Sequence, residues 1–121
     1  MITEEFNTIV EQITALLPQL SNFIDQFNKV IIENDVNIFS DSNGNFSADV
    51  LKSMSEEQSD KIVKRIGIID SLIDSHKTTI SDLFSRGSAL EKDIKINNPS
   101  FKSPLLEKAI EFRKISKSYQ H

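Results

Sequence analysis

The sequence predicts an all-α fold, an elongated helical hairpin or coiled coil carrying a short basic C-terminal helix. Three observations lead there. Apolar residues recur at steps of three and four along two long segments, the period of a helix rather than of a strand. Helix-start signals stand in front of each segment. In the second segment the steps alternate without error for more than four heptads, the pattern of a coiled coil or a long bundle helix.

The first helix is expected over about residues 3–34. Thr3 suits an N-cap, and Glu4 and Glu5 place negative charge at the positive end of the helix dipole. Phe6, Ile9, Ile13, Leu17, Leu20, Ile24, Phe27 and Ile31 then form one stripe. Pro18 removes a hydrogen bond and is expected to kink the helix, but the stripe keeps its phase across it.

The stretch DVNIFSDSNGNFSADV at residues 35–50 looks like a calcium loop at first sight. Setting Gly44 at the sixth loop position puts Phe39 first and Val50 twelfth, where the two essential oxygen ligands belong, so no metal site is expected. Asn43-Gly44 suits a type I′ turn, and a short hairpin over 37–47 is one of two equally weighted readings. The alternative is a plain loop ending at Ser47, the N-cap of a short helix over 48–54.

Ser55-Glu56-Glu57-Gln58 has the pattern of a capping box and opens a helix expected over about 56–95. Its seam runs Ile62, Ile66, Ile69, Ile73, His76, Ile80, Leu83, Gly87, Leu90, Ile94, with Val63, Leu72 and Phe84 widening it. Gly87 is either an internal glycine or a C-cap followed by a new helix at Ser88, and the unbroken heptad favours continuity. Asn97, Asn98 and Pro99 stop the helix. Ser103 and Pro104 open a last one, over about 104–119, made basic by Lys108, Arg113, Lys114 and Lys117.

Composition bounds function. The 121 residues suit one unit with one core. The absence of cysteine excludes disulfides, thiolate catalysis and most structural zinc sites. No apolar run approaches the ~20 residues needed to cross a bilayer, and the opening MITEEF is acidic where a signal peptide is basic, so an intracellular or intraviral location is expected. The net charge of −4 is unevenly split. Residues 1–60 hold eleven acids and two bases, a net of −9, and residues 61–121 hold seven acids and twelve bases, a net of +5. Antiparallel packing of the halves accounts for this split; a nucleic-acid surface would need a more concentrated positive face than Glu107 and Glu111 allow.

The chemistry-bearing residues are few. His76 on the seam reads as a packed polar residue that sets register, or as a pH-sensitive contact. His121 is terminal. Asp70 with Asp74, and Glu107 with Glu111, lie one turn apart as solvated helix faces often do, and no acid–base role is assigned to them. No phosphate loop or nucleophile elbow is present. Neither enzyme activity nor a cofactor or small-molecule substrate is expected.

The expected function is therefore that of a non-enzymatic structural or scaffolding subunit of a larger assembly, such as a virion component. Its partners would be other protein chains, in a homo-oligomer or a larger hetero-assembly. Ile66, Ile69, Ile73 and Ile80 are the candidate seam residues, with a lean towards trimers if the packing is parallel, and Phe39, Phe46 and Phe101 are candidate contacts beyond the seam. Two alternatives come from other classes: a small acidic adaptor or secretion chaperone that captures an amphipathic helix of a client, and nucleic-acid binding through the basic half.

Overall fold

A computed structural model describes residues 2–119; His121 lies outside them. The described residues are 75% helical. They form α1 (Ile2–Asn34), β1 (Val36–Ser40), β2 (Phe46–Val50), α2 (Glu56–Asn97) and α3 (Leu105–Lys117).

α1 buries Phe6, Ile9, Ile13, Leu17, Leu20, Ile24 and Phe27, the stripe that the sequence marks out, and ends it on Val30 with Ile31 half-buried. Thr3 lies within the first turn, one residue inside the helix start. The helix continues through Pro18, which sits on the exposed side together with Thr14, so the Thr14 carbonyl that loses its partner there is on the wet side of the helix. Asp35 ends it in the left-handed region at φ 54, a conformation that Asp tolerates better than most residues. The Leu51 and Lys52 N–H groups donate to the Asp35 and Asn34 carbonyls at 3.1 and 3.3 Å, tying the base of the following hairpin to the end of α1.

The hairpin alternative holds, in a longer form than expected. β1 and β2 pair antiparallel from Val36 with Val50 to Ser40 with Phe46. The turn is not the two-residue type I′ form, which would need a positive φ at both Asn43 and Gly44; only Gly44 has one, at 79°. Asp41 organises the five-residue loop instead. Its carboxylate accepts the Asn43 and Asn45 N–H groups, both at 2.9 Å, and its carbonyl accepts the Gly44 N–H at 2.9 Å. The short helix over 48–54 is absent: Ala48, Asp49 and Val50 pair with Ile38, Asn37 and Val36 in the ladder, and no helix begins before Glu56. Val36, Ile38 and Phe46 pack against the core.

α2 begins at the capping box. The Gln58 N–H donates to Ser55 Oγ at 3.2 Å and the Ser55 N–H to Gln58 Oε1 at 3.4 Å. At ~1.5 Å per residue its 42 residues span about 63 Å. It does not break at Gly87, which is buried. A Cβ at that position would stand 3.2 Å from Leu105 Cδ1 and 3.3 Å from Ile9 Cγ2. A Gly87→Leu substitution is therefore expected to cost about 1–3 kcal/mol through overpacking, read as a lower urea midpoint with the helical signal retained. No effect would mean that α3 yields freely.

Contacts between α1 and α2 run in opposite chain directions. Ile9 meets Gly87, Gln19 meets His76, and Asn34 shares a pocket with Gln58 and Ile62. The seam isoleucines Ile66, Ile73 and Ile80 are fully buried and Ile69 is 5% exposed, all within this chain's own core. Within the chain, the two long helices cover one another's stripes. α3 lies along one side of the α1–α2 pair. Leu105 packs at Gly87, Phe112 stacks on Phe84 with ring centroids 5.8 Å apart, and Asn28 Nδ2 donates to the Ser118 carbonyl at 2.7 Å. Pro104 occupies the N-cap position of α3, and Ser103 Oγ in front of it accepts the Leu105 N–H at 3.1 Å.

Candidate interaction surface

The seven interface candidates separate into two groups. Ile66, Ile69, Ile73 and Ile80 are covered, and a partner reaches them only if the chain opens. Of the phenylalanines expected to lie uncovered, two are not. Phe101 meets Phe6 edge-on at 5.4 Å, and Phe46 is half-buried against the core. Phe39 remains 39% exposed on the outer face of the hairpin.

Two residues beyond α3, Tyr119 is the one strongly perturbed group among the described residues. Tyr119 lies edge-on to Phe27 at 4.8 Å, Lys77 Nζ stands 5.8 Å from its ring centroid, and its hydroxyl donates to Asp70. Burial, then the hydrogen bond to Asp70 and the charges of Asp70 and Asp74, pushes the phenol well above its ordinary range. Asp70 is therefore not on a solvated face. It is buried, and its partner comes from 49 residues away. Local periodicity cannot announce such a pairing, although Asp70 does stand one turn after Ile66, on the flank of the seam.

His76 is half-buried. Its Nδ1 lies 3.1 Å from the Leu72 carbonyl, its Nε2 lies 3.3 Å from Gln19 Oε1, and its ring meets Phe23 edge-on at 4.9 Å. It ties α1 to α2 near the middle of both.

His76 also marks the side of the α1–α2 pair away from α3. Helix geometry sets Gln12, Leu16, Gln19 and Phe23 along one wall of that side, and Leu72, His76, Thr79 and Leu83 along the other. Two open pockets of 370 and 460 Å³ share Gln12 and Arg86 and so form one groove. Leu72, which the seam pattern places as a widening residue, is 39% exposed here. Lys61 pairs with Glu57 at 3.6 Å and Lys108 with Glu111 at 3.8 Å. Among the described residues, no group of three His, Cys, Asp or Glu is placed to hold a metal ion. No helix among the described residues is long and apolar enough to cross a membrane.

No protein-family model matches the chain, and neither the curated proteins nor the solved structures compared with it give a match.

Proposed function

We propose that this chain is a non-enzymatic structural or scaffolding subunit of a larger protein assembly, such as a virion component, built as an elongated antiparallel helical hairpin that acts by coiled-coil-like packing. The observation that carries the reading is the unequal covering of the α1–α2 pair: α3 and the hairpin take part of its surface, and the groove along Gln12, Leu16, Thr79 and Leu83 stays open. Large aliphatic side chains elsewhere also face solvent, among them Ile96 at 73%, Leu106 at 72% and Ile32 at 69%. Single exposed residues of this kind are ordinary; a groove continuous over several turns is the feature that supports a docking role.

A second reading has its own observation. α3 is itself an amphipathic helix lying along α1 and α2, so the same pair offers a comparable seat on its other side to a helix from a client, as an adaptor or secretion chaperone would. Light scattering after size exclusion, with circular dichroism on the same peak, separates the two. The assembly reading expects a helical species heavier than one 13.7 kDa chain. A fully helical monomer at every concentration would refute it and favour the adaptor.

A further inference from the structure

The open side of the α1–α2 pair has a charge pattern that selects its occupant. From Gln12 to Ile24, thirteen consecutive residues of α1 carry no ionisable group, in a chain that is 26% charged. Across the groove, Leu72, Thr79 and Leu83 continue this uncharged strip on α2, with His76 between them. The charges stand mainly at its two ends, acids on α1 and bases on α2. By helical phase, α1 contributes Glu5 and Glu33, and α2 contributes Lys61, Arg65 and Arg86, with Asp82 at the outer margin of the strip.

The geometry points to a second copy of this chain as the occupant, docked across this face by a two-fold axis parallel to the long helices. That operation lays each α1 on the α2 of the other copy. Glu5 of one copy comes level with Arg86 of the other, since both flank the same pocket, and Glu33 comes level with Lys61 and Arg65. A two-fold perpendicular to the helices would set α1 on α1 instead. With Gln19 and His76 at the centre, it would bring Glu5 against Glu33 and Arg65 against Arg86, like charge on like charge. The sorted ends thus choose one symmetric arrangement, and the charge-free middle carries no self-repulsion into it. The size suits a stable dimer. Glu5 to Glu33 spans about 42 Å of helix, and two helices side by side are about 20 Å wide, so each copy offers about 800 Å², the area one partner contributes to a standard interface. Lys61 and Glu33 each meet an oppositely charged residue on their own helix, Glu57 at 3.6 Å and Lys29 at 4.0 Å; these exposed pairs leave both side chains able to turn.

This inference rests on the assembly reading and narrows it. The test begins with the mass of the wild-type chain, expected at twice 13.7 kDa. Leu72→Lys sets a charge in the middle of the face at an exposed site and is expected to give a monomer of unchanged helicity. Thr79→Arg is expected to do the same, which guards against one variant failing to fold. Leu106→Lys, on the exposed side of α3, is expected to remain dimeric. The absence of cysteine allows a test of geometry. When Ala15→Cys chains are mixed with Thr79→Cys chains and oxidised, disulfides between unlike chains should exceed those between like chains. An oligomer that survives both Leu72→Lys and Thr79→Arg, or that Leu106→Lys dissolves, overturns this face and leaves the assembly reading standing. A predominance of like-chain disulfides overturns the symmetry. A helical monomer for the wild type overturns both the inference and the reading beneath it.

Discussion

Phe27→Ala is expected to lower stability by about 3–5 kcal/mol, the cost of emptying a fully buried aromatic site. Phe27 is 0% exposed and holds Tyr119 edge-on at 4.8 Å, so its ring fills the core and also anchors the end of α3. Truncation removes the transfer energy of the ring and leaves a void between elements far apart in sequence, which collapse closes only in part. A urea titration followed by circular dichroism reads the loss as a fall in midpoint with the slope preserved. Ile32→Ala on the same helix provides the contrast. Ile32 is 69% exposed, and its truncation is expected to stay within about 0.5 kcal/mol of wild type. If the two variants lost equal stability, the core described here would not be the one that holds the chain.

Tyr119 is expected to resist ionisation in the folded chain. Its pKa is raised by burial first and then by Asp70, so the folded state holds the phenol proton while the unfolded chain releases it near the ordinary value of about 10. The contribution is fully present below that pH. Above it, the unfolded state loses a proton that the folded state keeps, and stability falls as pH rises. Tyr119 is the only tyrosine and there is no tryptophan, so phenolate absorbance reports this residue alone. The folded protein should show no phenolate step near pH 10, and the step should appear when urea unfolds it. Tyr119→Phe removes the alkaline loss of stability but also the hydrogen bond from the phenol to buried Asp70, which should cost about 1–3 kcal/mol at neutral pH. A phenol that titrates normally in the folded chain would contradict the placement of the C-terminal end of α3.

Much of the helical framework was legible because its cause is local. The step of three or four that buries Phe6 to Phe27 on α1 is a property of neighbouring residues, as is the Ser55–Gln58 capping box that starts α2. The identity of the seam's partner was not legible. Ile66, Ile73 and Ile80 show that a stripe must be covered, and whether α1 or a foreign helix covers it depends on how the chain turns back. The hairpin was half legible. Asn43-Gly44 announces a turn, but Asp41 shapes it, and the extension to Val50 comes from pairing Ser47 and Ala48 with Phe39 and Ile38, which outweighs their local tendency to begin a helix. The link from Asp70 to Tyr119 depends on the docking of α3 and has no local signal. The open groove is also a product of docking. Leu72 widens the seam in the sequence, and only the choice of side taken by α3 leaves it at a surface.

The most direct test of the account asks whether the long helices close on each other within one chain. Thr3 and Asn97 lie 94 residues apart in sequence yet line one pocket, and both are exposed. In a Thr3→Cys, Asn97→Cys double variant, treated at low protein concentration with a short thiol-reactive cross-linker, the account predicts an internal bridge: both thiols consumed and the mass of a single chain under denaturing conditions. Bridges that join two chains, or two thiols that react without being joined, would mean that the ends of α1 and α2 do not meet and that the isoleucine seam is covered from outside.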